Sequence, residues 1–121
     1  MATSEAPAAV RRRDGTAVSD LTGDLNRTAE AALEGAWAQV AQQPPDALVL
    51  NFAGTGYINS TGIALIVGLL AKARAAGIDV RAYGLTPHYR EIFEITRLAD
   101  FVAITTDEDS AVRGAEGSRD A

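Results

Sequence analysis

The chain has 121 residues and a formal charge of −5, from 11 Lys+Arg against 16 Asp+Glu. That length holds one domain with a sizeable core. The acidic balance argues against a nucleic-acid binder, which needs a basic stripe, and gives an anionic membrane surface nothing to attract.

With no cysteine and a single histidine, disulfide frameworks, thiolate metal sites and Cys nucleophiles are excluded, and Ser/His/Asp chemistry has almost no material. No apolar run is long enough to span a membrane. The opening MATSEAPAAVRRRDG carries its arginines after the small apolar stretch, where an export signal needs them before it. The expectation is a cytoplasmic protein with no membrane insertion.

In chain order, residues 1–7 read as a loose tail. Ala8 to Arg12 reads as a first strand, Asp14-Gly15 as a hairpin turn, and Thr16 to Leu21 as a second strand. Three consecutive arginines fit a strand only at a sheet edge. Leu25 to Gln42 reads as a helix, capped by Asn26 or Thr28 and ended by Pro44-Pro45. Its apolar stripe is Ala29, Leu33, Ala36, Trp37 and Val40, with Trp37 expected in the core. The continuous apolar run Ala47 to Ala53 suits a strand at a sheet centre.

Gly54-Thr55-Gly56 reads as a flexible link. Ser60 stands where a helix N-cap belongs, ahead of Ile63 to Ala76, with Gly77 as the stop. Ile78 to Gly84 reads as a strand. Thr86-Pro87 opens a further helix with apolar face Tyr89, Ile92, Phe93 and Thr96. Phe101 to Ile104 is a last strand, Asp107-Glu108-Asp109 starts a short last helix, and 113–121 reads as a disordered tail. The order ββαβαβαβ(α) predicts an α/β fold: one mixed sheet of four to five strands with about four helices packed on it.

Gly54-Thr55-Gly56 followed by Gly62 does not make a phosphate loop, because Ile63 stands where a lysine must follow the glycine. Asn59 stands where a dinucleotide fingerprint needs glycine. His88 and Glu91 lack a further metal ligand nearby, and the acids at 107–109 do not alternate as a calcium loop requires. No catalytic residue, metal ligand or cofactor site is expected. Asn59-Ser60-Thr61-Gly62 supports two readings. Ser60 is either a plain helix cap or a regulated hydroxyl, where a phosphate would add a charge of about −1.5 to −2 to an otherwise uncharged surface.

At this motif a resemblance enters. Tyr57-Ile58-Asn59-Ser60-Thr61-Gly62-Ile63, preceded by the strand Ala47 to Phe52, resembles the STAS domain of bacterial anti-sigma factor antagonists. The segments Leu21 to Asn26, Ala76 to Gly84 and Pro87 to Phe101 continue the likeness, so it spans residues 8–112. It implies a non-enzymatic module that binds an anti-sigma factor, itself a serine/threonine kinase of the histidine-kinase-like ATPase type, and so releases a sigma factor. Ser60 would be the phosphorylated switch, with Thr61 secondary, and a phosphatase would reset it. Asn26, Tyr57, Ile58, Asn59, Ser60, Thr61, Gly62 and Ile63 would frame the docking surface of a monomer or weak dimer.

Two positions depart from the family pattern: Asn59 and Asn26 stand where aspartates are usual. An amide keeps hydrogen bonding and loses charge, which weakens any orienting role and also eases a phosphate beside it. Asp24 offers a carboxylate two residues from Asn26. STAS domains also serve as scaffold parts of stress-signalling assemblies and as subunits of lipid-transport ABC systems, a second use without a phospho-switch. Small-molecule binding at the Gly54–Gly62 loop is a third, disfavoured because that segment carries no lysine or arginine.

Overall fold

A computed structural model describes residues 8–119, with side chains through Arg113. Five strands and four helices alternate: β1 (Ala8–Arg13), β2 (Thr16–Leu25), α1 (Glu30–Gln42), β3 (Ala47–Ile58), α2 (Ser60–Ala75), β4 (Asp79–Tyr83), α3 (Pro87–Ile95), β5 (Ala103–Ile104) and α4 (Glu108–Arg119). Short 3-10 turns at Arg27–Ala29 and Leu98–Asp100 precede α1 and β5. The expected α/β fold with one mixed sheet is what forms. The expected tail at 1–7 lies outside the described residues. So do Asp120 and Ala121 at the other end, whereas 113–119 belong to α4.

The strands lie in the sheet in chain order, β1 to β5. Asp14 and Gly15 both have positive φ, 48° and 82°, as a two-residue turn between antiparallel strands requires. β1 therefore runs antiparallel to β2 and forms an edge, while β2 through β5 are parallel. Right-handed crossovers between neighbouring strands put α1, α2 and α3 on one face. Leu21, Leu48, Leu50, Phe52 and Ala82 meet Leu33, Val40, Ile66, Leu70 and Phe93 there. Phe52 and Phe93 pack edge to face at 5.9 Å. Trp37 is only half-buried, set against this core from the groove between α1 and α2.

The opposite face carries Val18 and Val49, buried with Ala111 of α4. β3 is thus covered on both faces, which accounts for its continuous apolar run. Arg81 is buried on this side and donates to the carbonyls of Ala111 and Val112, each at 2.8 Å.

Strand alternation resolves the arginine run. Arg12 donates to the carbonyls of Gln39 and Gln43 at the end of α1. Arg11 and Arg13 turn the other way and grip Glu108 at the start of α4, at 2.6 and 2.7 Å. Arg11 also holds Asp20, and the Tyr83 hydroxyl donates to Glu108 at 2.8 Å. Burial, helped by Glu108, pushes the Tyr83 phenol up to about 12. The Arg11 guanidinium, followed by that of Arg13, holds the Glu108 carboxyl well below the usual carboxylate range.

Three expectations are corrected. α1 starts at Glu30 rather than Leu25, because β2 continues to Leu25 and a 3-10 turn intervenes. β5 is only Ala103–Ile104, because the Phe101 N–H closes the preceding turn on the Leu98 carbonyl. The last helix is not short: it runs from Glu108 to Arg119, and distant arginines anchor its first turn through Glu108 and the carbonyls of Ala111 and Val112.

Glu108→Ala is expected to lower stability by about 1–2 kcal/mol, the scale of losing charged hydrogen bonds in a half-buried cluster, read as a lower urea midpoint. The Glu108 contribution is present above the unfolded carboxyl pKa, near ~4.3. It is lost as pH falls through the lower folded-state value. Wild type should therefore lose stability on acidification below about pH 4 more steeply than Glu108→Ala; parallel acid limbs would remove Glu108 from that role.

Candidate functional site

The expected site residues gather where β2 and β3 end. The parallel ladder pairs Leu25 with Ile58, so Asn26 and Asn59 leave the sheet at corresponding positions. Both have extended backbone, φ −146° and −92°, and each caps the helical turn after it. The Asn26 Oδ1 accepts from the Thr28 N–H at 2.9 Å. The Asn59 Oδ1 accepts from the Gly62 N–H at 2.8 Å. Asparagine and aspartate cap about equally well. An aspartate at either position would cap in the same way and add only a charge.

This corrects the cap reading of Ser60. Asn59 is the last extended residue, so its side chain takes the cap, and Ser60 is already the first helical residue of α2. Ser60 and Thr61 are exposed. Among the described residues neither hydroxyl has a hydrogen-bond partner.

Gly62 sets the position of this turn. A Cβ there would stand 2.1 Å from the Leu25 carbonyl oxygen and 3.1 Å from Ile58 Cγ2. The first turn of α2 therefore rests on the end of β2 at a distance only glycine allows. The Asn59 N–H donates to that same carbonyl at 3.2 Å. Ile58 and Gly62 are buried and support the turn from beneath, Asn26 and Ile63 are half-buried, and Tyr57 is 67% exposed.

The segment Gly54-Thr55-Gly56 is not a flexible link. It continues β3, paired with Thr22 and Gly23 through two register shifts. Its glycines serve close approach: a Cβ on Gly56 would lie 2.4 Å from Asp24 Oδ1. That oxygen accepts from the Tyr57 N–H at 2.9 Å, so Asp24 holds the Tyr57 backbone rather than replacing a carboxylate at Asn26. The Ile58 N–H donates to the Tyr89 Oη of α3 at 2.9 Å. Asp24 and Tyr89 are the positioning groups that sequence reasoning missed in these roles. Tyr89 had only an apolar spacing to mark it.

A family model described as "Mlab, STAS domain" matches residues 8–105. The chain belongs to the STAS domain family. The match ends ahead of α4, which this STAS domain carries beyond it.

Solved structures share the fold, three among them as follows. A Ser→Glu variant of RsbS from Moorella thermoacetica superposes with a TM-score of 0.79 at 10% identity, covering 94% of this chain and 98% of the other. An anti-sigma factor antagonist from Mycobacterium paratuberculosis gives 0.72 at 24% identity, covering 88% and 91%. The phosphorylated form of the Bacillus cell fate determinant SpoIIAA gives 0.68 at 19% identity, covering 88% and 97%. No curated protein sequence matches. Among the described residues, no helix of this STAS domain is long and apolar enough to cross a membrane.

Four substitutions test the geometry by chemical denaturation. Gly62→Ala should cost ~2 kcal/mol or more, because the Leu25 backbone is in the way. Asn59→Ala should cost ~1 kcal/mol and Asn59→Asp a few tenths at most. Ser60→Ala should stay within ~0.5 kcal/mol of wild type. A loss at Ser60→Ala as large as at Asn59→Ala would return the cap to Ser60.

Proposed function

We propose that this STAS domain is an anti-sigma factor antagonist. It binds an anti-sigma factor with serine kinase activity, and phosphorylation of Ser60 switches that binding off. The observation that carries the reading is the freed hydroxyl. Asn59 performs the capping, which leaves Ser60 exposed and unbonded on a turn held by Gly62, Asp24 and Tyr89. A hydroxyl committed to a cap has one lone pair and its orientation taken up by the helix; this one has neither.

The chemistry needs nothing from this chain but the hydroxyl and its placement. A kinase base takes the Ser60 proton, Oγ attacks the γ-phosphorus of ATP, and ADP leaves. The product carries about −1.5 to −2 charge at pH 7. It stands at the N-terminus of α2, where the N–H groups of the first turn favour an anion. Asn59 beside it adds no negative charge to oppose the phosphate. A partner seated over Ser60, Thr61 and Tyr57 without the phosphate would have to desolvate it on binding, which costs several kcal/mol for an unpaired ion. That cost releases the partner.

The test is a pull-down from native lysate with wild type, Ser60→Ala and Ser60→Asp as baits, followed by an in vitro kinase reaction with the protein recovered. Wild type and Ser60→Ala should retain an ATP-binding kinase that Ser60→Asp loses. The purified kinase should label wild type and leave Ser60→Ala unlabelled. If all three baits bring down the same scaffold or transporter proteins, the fold serves an assembly without a phospho-switch.

A further inference from the structure

The end of the sheet away from Ser60 holds an opening that the switch reading does not use. β5 pairs only with Arg81 and Ala82, which leaves Asp79 and Val80 of β4 beside the turn Leu98–Asp100. Between that turn, the start of β4 and the last turns of α2 lies a cavity of about 320 Å³. Small-molecule sites begin at roughly 300 Å³. Ser60 and Arg74 stand fourteen residues apart on α2, about 21 Å of helical rise, so the cavity is remote from the switch.

An apolar groove of about 220 Å³ adjoins this cavity, walled by Val67, Ala71 and Leu98. Leu70, Arg74 and Phe101 line both spaces. Phe101 is 52% exposed and Val67 44%, so apolar surface is left in water beside the opening.

Two arginines mark the polar end. Arg81 is only 8% exposed, and a buried guanidinium needs its charge and its donors met. Nη1 donates to the carbonyls of Ala111 and Val112, which are neutral acceptors. Asp79, 3.6 Å from Nη2, is a loose counter-charge, and Nε has no partner among the described residues. Arg74 sits over the Phe101 ring at 5.3 Å and makes no ion pair among the described residues. Asp100 is taken up by Arg97 at 2.8 Å. Arg74, Arg81 and Arg97 set against Asp79 and Asp100 leave one positive charge at the opening.

We propose that this hollow binds a small organic acid, with a single carboxylate at Arg74 in the field of Arg81 and an apolar body along Val67, Leu70 and Leu98. One uncompensated charge suits a monoanion, whereas a phosphate dianion would also face Asp79 and Asp100. An uncharged apolar molecule would fill the groove and leave the arginines unanswered. The Gly54–Gly62 loop offers a ligand no lysine or arginine, and this site offers two arginines. The site and the Ser60 switch do not depend on each other.

The experiment titrates decanoate, held below its micellar concentration, into the full chain. Binding is read by calorimetry and by methyl NMR of Val67, Leu70 and Leu98. Decanol and inorganic phosphate are titrated in parallel. Arg74→Gln removes the carboxylate's partner, and Ala71→Phe fills the groove. Lys72→Gln removes the same charge two residues away, outside the hollow. All three positions are exposed, so circular dichroism and melting temperature should stay near wild type. Support is saturable one-to-one binding of decanoate, roughly tenfold tighter than decanol, with no methyl shift from phosphate. Arg74→Gln should weaken decanoate by roughly fivefold and Lys72→Gln by less than about twofold, the range of a partly exposed charge pair. Ala71→Phe should abolish binding. Any of four results would overturn the site: no saturation, decanol or phosphate binding as well as decanoate, equal losses from the two charge variants, or undiminished binding by Ala71→Phe. Methyl shifts that follow protein concentration without ligand would also overturn it, by assigning the hollow to a second copy of the chain.

Discussion

The approach of α2 to the Leu25 carbonyl is the constraint on which the site depends. β2 and β3 stay paired as far as Leu25 and Ile58, and the next residue of each is an asparagine that caps a turn. Gly62 lets the first turn of α2 settle onto that carbonyl. Once it has, the Gly62 N–H is within reach of Asn59, and the serine between them is relieved of structural duty. The availability of the Ser60 hydroxyl is thus decided by a missing methyl two residues away.

The two faces of the sheet are held by different physics. The face under α1, α2 and α3 is apolar, and its stability scales with the area removed from water. Among the described residues, the face under α4 joins Val18 and Val49 to Ala111, with Tyr83 and Val112 beside them, and it adds arginines. Arg11 and Arg13 neutralise Glu108, while Arg81 satisfies two carbonyls of the helix backbone. The Nε of Arg81 is left without a partner, a cost the arrangement carries. Such a clasp gives α4 its position more than it gives the domain its stability.

Most of the fold was legible in the sequence because its signals are local. Asp14-Gly15 announces the hairpin, Pro44-Pro45 and Gly77 stop helices, and the apolar run at Ala47 announces a central strand. What was not legible depends on distant neighbours. Gly54-Thr55-Gly56 has the composition of a loop, and only the nearness of Thr22 and Asp24 makes it a strand. Asn59-Ser60-Thr61 offers three capping side chains in a row. The choice falls to whichever residue is last in extended backbone, and strand pairing across to Leu25 decides that. The last helix reads as short because Glu108 is anchored some ninety-five residues upstream, in an arginine run whose purpose a single strand cannot reveal.

The sheet's strand order has a consequence for how the chain is made. Because β1 to β5 lie side by side in the order of synthesis, each newly emerged βαβ unit adds to the growing edge of a sheet already begun, and its helix closes the same face. That face is assembled progressively, one strand and one helix at a time. Among the described residues, the other face has no covering element until Glu108 to Val112 leave the ribosome. Until then Val18 and Val49 lack their helix neighbour, and Arg11, Arg13 and Arg81 await their partners in α4. The nascent domain is one-sided, and its last segment to appear is the one that shuts it.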